Sequence, residues 1–464
     1  METSLLEGTF WAAAEFGGAS LGDARRNRRL VKLAAGLADS PDAVLYRSME
    51  NAADLKGAYR LLENESVTAD EIRKSHLMRT HARCARPGHY LLIEDTTTLN
   101  YSGLLATEGL GRIGDDTNRG LFLHSTLAAE ILNWNDQNEP ALAAIGLFAQ
   151  KSWARTMPTV GSGKEKSRDR LKRKRESQRW GAAQIEYGGP PPGVSWTLVT
   201  DREGDIYELF EKCAATGTDF IIRACEPRAL LNESGSVFDA VQRAPVLCRY
   251  TLNLRARPGQ KKRTAELEVR VASVELRAPK RPGGRPEPLR VNVVEAREIN
   301  APSGSEPIHW ILLTTWDVSD AKAALRVIKA YTRRWLIEEY HKVLKTGLSV
   351  EETQLMMARS IEALLAILGV VGMKLLDLKL LASAQPDGAI AEDDFSPEAL
   401  MILEKKYERP ATGWTYLTIL VAIARLGGFL ARTNDGPPGW IVIWRGWHRL
   451  TFMIEGVQLA KGMT

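Results

Sequence analysis

The sequence predicts an α/β chain, with helices at both ends and strands between them, on three observations. Two apolar runs, His89-Tyr-Leu-Leu-Ile-Glu-Asp-Thr-Thr and Trp196-Thr-Leu-Val-Thr-Asp-Arg-Glu-Gly-Asp, end in acid, as buried strands do when they carry a carboxylate out of a sheet. From about residue 237 to 314 the helical signal disappears, and Leu267, Val269, Val271 and Leu276 sit among Glu266, Glu268, Arg270 and Glu275 with largely period-two alternation. On either side of these strands, apolar residues recur at helical spacing.

The chain has 464 residues, 44% of them hydrophobic, which by ordinary domain size is about two to four domains with real cores. The net charge is +5, so where the cations lie matters more than their sum. They gather at Arg25–Lys32, Lys164–Arg179 and Arg255–Arg263. A polyanionic partner would account for all three runs, and a solvated face for any one of them. Cys84, Cys213, Cys225 and Cys248 have no CxxC spacing, and the histidines form no HExxH or HxxxH pair, so free thiols and no structural zinc are expected. The opening METSLLEGTF lacks a basic region followed by an apolar core, and the most apolar run, Ala363–Met373, falls short of the ~20 residues of a membrane span. A soluble intracellular protein with no membrane partner is expected.

In chain order, residues 1 to about 70 read as short helices. Gly17-Gly18 breaks the first, and Asp23 can cap a second whose Leu30, Leu33, Ala34 and Leu37 form an apolar stripe. That helix carries Arg25, Arg26, Arg28, Arg29 and Lys32 near its start, where cations oppose the macrodipole and phosphates would offset the cost. Further helices are expected around Ala52–Leu62 and Ala69–Arg83. Strands follow at His89–Asp95, Leu121–Leu132, Ala141–Trp153 and Trp196–Asp201, with Asp95 and Asp201 at strand ends. A helix at Ile206–Cys213 and a strand at Phe220–Arg223 lead into the β-rich block, in which Arg255–Arg263 reads as a basic hairpin tip. Beyond it come apolar helix around Ile361–Leu381, a linker at Gln385–Asp394, and a tryptophan-rich helical hairpin at Trp414–Leu430 and Trp440–Leu459.

Tyr331–Lys345 contains no Gly or Pro before position 345 and follows a cap at Ser319 or Asp320, so one long helix is expected. At about 100° per residue, taking Tyr331 as zero, Arg334 lies near about −60°, Glu338 near about −20° and Lys345 near about −40°. Glu339 points about 100° away from Glu338. A phenol, two cations and one carboxylate on one strip suit a phosphate held beside an acid; a plain charged face is the alternative. Two strand-end aspartates and a distant helical glutamate would repel one another unless cations neutralise them, and they suit oxygen-preferring ions such as Mg²⁺.

These residues resemble a known family. Tyr331, Arg334, Glu338 and Lys345 match the Y-(2)-R-(3)-E-(6)-K signature of the insertion-sequence-four (Tn-five-like) DDE transposases. IEDTT around Asp95 and TDREGDIY around Asp201 match the other two acidic motifs, and LGDARRNRRLV, GAYRLLEN, FIIR, HWILLT and AIARLGGF extend the likeness over nearly the whole chain. Ala24 stands where the family pattern has proline.

The resemblance implies a ribonuclease-H-like α/β catalytic core at residues 71–372, interrupted by the β-rich insertion at about 237–314. A helical domain at 1–70 would bind transposon ends, and helices at 373–464 would dimerise. Asp95, Asp201 and Glu338 would hold two Mg²⁺, with Mn²⁺ as substitute, in a cut-and-paste reaction that nicks, forms and reopens a hairpin, and joins 3′-hydroxyl ends to target DNA. Tyr331, Arg334, Lys345 and Arg223 would bind phosphates, Trp310 would stack on a flipped base, and Arg26 and Arg29 would contact the end sequence. A homodimer on double-stranded DNA, in a bacterial cytoplasm and associated with the nucleoid, is implied. A dimeric DNA-binding regulator with remnant acids, or a ribonuclease or junction resolvase on the same fold, are the competing readings.

Overall fold

A computed structural model describes residues 8–39, 44–49, 51–114, 117–155, 176–254, 263–281, 287–390, 395–433 and 435–462. Helices come first: α1 (Gly8–Phe16), α2 (Ala24–Asp39), α3 (Leu45–Ser48), α4 (Ala52–Leu62) and α5 (Ala69–Cys84). Asp23 starts α2 as expected, its carboxylate accepting the Arg25 amide at 2.7 Å. Leu30, Leu33, Ala34, Leu37 and Ala38 form the buried stripe of that helix. Asn51 caps α4 through the amides of Ala53 and Asp54, each at 3.0 Å; losing such a cap costs about 1 kcal/mol.

The N-terminal helices are tied to the rest by a buried carboxylate. Glu15 on α1 meets His76 on α5 at 2.6 Å and has Arg79 and Arg83 within 3.6 and 3.5 Å. His76 in turn receives the Leu147 amide at 3.0 Å. His76 and the two arginines hold Glu15 below the usual carboxylate range in spite of burial.

The strands are β1 (Gly88–Asn100), β2 (Gly111–Ile113), β3 (Asn118–Trp134), β4 (Pro140–Trp153), β5 (Val194–Thr200), β6 (Asp219–Arg223), β7 (Val246–Leu254), β8 (Arg263–Leu276), β9 (Leu289–Ile299) and β10 (His309–Thr314). They form one mixed sheet in the order β2-β3-β1-β5-β6-β10-β9-β8-β7, with β4 against β3. β1 pairs antiparallel with β3 and parallel with β5, and β5 pairs parallel with β6. The β-rich block therefore does not stand apart: β10 joins it to β6 and extends the same sheet. The hairpin tip expected at Arg255–Arg263 lies almost wholly outside the described residues.

Helices cover both faces, because alternate residues of the inner strands are apolar on both sides. Leu91, Ile93, Val199, Ile221 and Leu312 face the core shared with α9 (Ala321–Thr332), α10 (Trp335–Lys342) and α11 (Ala358–Ala384). Leu92, Leu198, Phe220, Ile222 and Leu313 face Trp180 and the helices α6 (Ala182–Tyr187), α7 (Tyr207–Thr216) and α8 (Val237–Arg243). α11 is buried nearly all round, as a helix in the middle of a core must be when it is apolar on every side. It runs unbroken through the expected boundary at 372/373. Helices α12 (Pro397–Lys406), α13 (Tyr416–Leu426) and α14 (Trp440–Gly462) complete the chain. No described helix is long and apolar enough to cross a membrane, and the four cysteines are free thiols.

Two local expectations are corrected. Asp95 is not the end of its strand, since β1 continues to Asn100 on its antiparallel partner β3. What ends there is the pairing with β5, whose last rung is Ile93 with Val199. Nor is Tyr331–Lys345 one helix. Asp320 caps α9 through the Ala323 amide at 2.7 Å, as expected, but α9 stops at Thr332. The Thr332 hydroxyl donates to the Lys329 carbonyl at 2.6 Å, competing with the backbone ladder, and the chain tightens through Arg333 and Arg334 before α10 begins. After Lys342 the helix widens into a π turn at Val343–Gly347, so the angle expected for Lys345 no longer follows.

Candidate active site

The parallel register brings the two aspartates near each other. Ile93 lies opposite Val199, and two residues further on stand Asp95, still on β1, and Asp201, in the turn just after β5, where each feels the other's charge. Asp95 is mostly buried, and its Oδ1 accepts the Thr96 amide at 2.7 Å. Burial first, with Asp201 and Glu203 adding negative charge, pushes its carboxyl up to about 7, against the pull of the Thr96 amide and Arg334. Asp201 caps the turn after β5 by accepting the Glu203 amide at 2.8 Å. Asp205, in the same motif, is excluded as a free acid. It is buried, takes the Arg228 guanidinium at 2.7 Å, and accepts the amides of Cys225 and Glu226 at 2.7 and 2.8 Å.

Arg334 joins the third acid to the first. Its guanidinium lies 3.9 Å from Asp95 and bonds the Glu338 carboxylate one helical turn on. Glu339 turns the other way, to Lys379 on α11 at 3.1 Å, and is thereby a packing pair. Tyr331 is buried beside this group and feels the charges of Arg334, Arg223 and Asp201. Trp310 packs edge-on against Tyr331 with ring centroids 5.7 Å apart. Arg223, at the end of β6, donates to the His309 carbonyl at 3.1 Å. Asp95, Asp201, Glu338, Arg334, Tyr331, Arg223 and Trp310 thus form one continuous patch. Lys345 is not joined to it by any described contact. It sits on the π turn, where its charge is felt by the buried His341.

Among the described residues, no three acidic, histidine or cysteine groups lie close enough to hold a metal ion as they stand. The donor chemistry nonetheless suits a hard divalent cation: Asp95 and Asp201 place carboxylate oxygens near each other and each adds negative charge to the other. Glu338 is tied to Arg334 through one of its two carboxylate oxygens.

Arg179 and Glu203 were not singled out from the sequence. Arg179 stacks over Trp153 at 5.0 Å, donates to the Thr96 hydroxyl at 3.2 Å and approaches Glu203 at 3.8 Å, so it spans the two acid-bearing strands. Only its place at the end of a basic tract marked it, and most of that tract lies outside the described residues. Glu203 could have been found from its spacing of two after Asp201.

The basic helix α2 belongs to the N-terminal helical group. Arg25 and Arg28 are exposed, while Arg26 donates to the Leu21 carbonyl at 3.1 Å and Arg29 lies against the bare backbone of Gly57 on α4. Lys32 pairs with Asp54 at 2.7 Å. No described contact joins Arg26 or Arg29 to the acids.

Residues 9–67 match the family described as transposase DNA-binding. The N-terminal helices are therefore a DNA-binding domain of the kind transposases carry, and DNA is the partner it implies.

Proposed function

We propose that this chain is a cut-and-paste DNA transposase of the insertion-sequence-four type, with a ribonuclease-H-like core. The observation that carries the reading is that Asp95 and Asp201, each two residues past the last rung pairing β1 with β5, feel each other's charge, with Arg334 reaching both Asp95 and Glu338, in a chain that opens with a transposase DNA-binding domain. The mixed sheet with helices on both faces supports the fold assignment.

Asp95, Asp201 and Glu338 would hold two Mg²⁺, with Mn²⁺ as substitute. When bound, the ions supply activation of a water or 3′-hydroxyl and stabilisation of the leaving oxygen of a phosphodiester. The chain's own residues do the rest. Arg334 neutralises Glu338 in the free protein; a DNA phosphate offers the guanidinium a second anion and frees that carboxylate. Tyr331 and Arg223 border the same phosphate position, and Lys345 extends it if the π turn reaches the strand beyond. Trp310 offers a ring for a base turned out of the helix, a stack worth about 1–3 kcal/mol. Arg26 and Arg29 contact the end sequence, and the C-terminal helices join two chains so that both ends are held together.

The test is a supercoiled plasmid carrying the two DNA stretches that flank this reading frame, incubated with the full chain and Mg²⁺. Nicking at the ends, a hairpin intermediate and joined products support the reading. Binding to the ends with no metal-dependent nicking would favour a DNA-binding regulator instead.

A further inference from the structure

Behind β1, on the face away from Asp95, lies a chain of hydrogen bonds that the chemistry above does not use. Alternation along β1 puts Glu94 and Thr96 on that face, and the register with β3 sets Thr96 opposite His124. His124 Nε2 lies 2.7 Å from Glu94 Oε1, and its Nδ1 lies 2.8 Å from Thr96 Oγ1. Arg179 Nε donates to the same hydroxyl at 3.2 Å, and the Gly181 amide donates to Glu94 at 3.2 Å. Trp180 closes the group with its ring edge-on to the imidazole, centroids 5.0 Å apart. Glu94, His124 and Trp180 are all buried.

Arginine only donates, so the Thr96 oxygen accepts from Arg179. The two ring nitrogens of His124 bridge the Glu94 carboxyl and the Thr96 hydroxyl, so the imidazole is held at both ends. The chain terminates at the reacting groups: the Thr96 amide bonds Asp95, and Arg179 reaches Glu203, two residues after Asp201.

We propose that His124 is a positioning residue of the acidic centre: by joining Glu94 to Thr96 it fixes the strand segment that orients the Asp95 carboxylate, and it holds Arg179 across to the Asp201 turn. The inference rests on the proposed function. His124 acts two bonds away, through Thr96, whose amide bonds Asp95. Outer-shell partners bonded directly to a metal-holding group change metal affinity or rate by about 10–100-fold, and the effect here is expected toward the low end of that range.

Thr96→Val keeps the volume and removes the hydroxyl, whereas Thr96→Ser keeps the hydroxyl. Three quantities are read on the full chain: melting temperature, Mn²⁺ affinity without DNA by electron paramagnetic resonance, and single-turnover nicking of the flank-bearing plasmid with Mg²⁺. Thr96→Val is expected to melt within a few degrees of wild type, to bind Mn²⁺ more weakly, and to nick about tenfold more slowly. Thr96→Ser is expected to recover most of both losses. His124→Ala should show the same two losses together with lower stability. Wild-type Mn²⁺ affinity and nicking in Thr96→Val would overturn the inference, as would losses in His124→Ala that only follow its unfolding. A wild-type chain that binds the plasmid ends but neither binds Mn²⁺ nor nicks would instead remove the proposed function, and the inference with it.

Discussion

Two charged segments of this chain carry their charge in opposite ways. On α2, Arg25 and Arg28 stand exposed with no ion-pair partner among the described residues, at the helix end whose dipole disfavours them. At the start of α10, Arg334 is mostly buried and already shared between Glu338 and Asp95. The exposed Arg25 and Arg28 of the first are uncompensated, and a polyanion would stabilise them. The second is compensated within itself, so on the proposed function it would have to exchange partners when DNA arrives. On that function, a recognition surface and a reaction centre would differ less in how many charges they hold than in whether those charges are already satisfied.

The comparison breaks most clearly at the acids. Asp95→Ala, Asp201→Ala and Glu338→Ala are each expected to lower end cleavage on the order of a thousandfold or more, while gel-shift affinity for the ends stays near wild type. Any one of them cutting at full rate removes that residue from the centre. The converse change on α2 should separate the same two functions. Arg25→Ala or Arg28→Ala is expected to weaken DNA binding several-fold and to reduce the slope of log affinity against log salt by about 1 each. Cleavage of DNA already bound should be unchanged.

A smaller effect follows from the raised carboxyl of Asp95. Its proton leaves only near about 7, so a divalent cation must displace it below that pH. Mn²⁺ affinity should fall up to about tenfold per pH unit below that point, by proton competition at one site; a flat affinity between pH 5.5 and 8 would contradict it. The smallest effect is on stability. The folded pKa of Asp95 lies above its unfolded value of about 3.9, so the folded state holds a proton that the unfolded chain loses first. The stability this gives is present at low pH and lost as pH rises through about 7. Asp95→Asn removes the ionised form and is therefore expected to raise the metal-free melting temperature by a few degrees at pH 8, with the gain shrinking toward pH 5.

Much of this was legible in the residues, for physical reasons that differ along the chain. The stripe Leu30, Leu33, Ala34, Leu37 and the cap at Asp23 act within one helix, and local spacing suffices to find them. Helical spacing alone set Glu339 apart from Glu338, since successive side chains point about 100° apart, and Lys379 does pair with Glu339. The tightening through Arg333 and Arg334 was not legible, because it depends on the Thr332 hydroxyl choosing the Lys329 carbonyl over solvent. Nor was the place of Asp95 within a longer strand, since β1 continues only because β3 lies beside it. The Glu94–His124–Thr96–Arg179 chain is assembled from three separate segments, and its residues look unremarkable in each.

Crystals of the full chain soaked in Mn²⁺, with anomalous scattering to locate the metal, test the central claim most directly. The account requires Mn²⁺ held by the Asp95 and Asp201 carboxylates, with Glu338 released from Arg334 and turned toward them. Mn²⁺ bound elsewhere, or absent from the gap between these two strands at saturating concentration and pH 8, would contradict it.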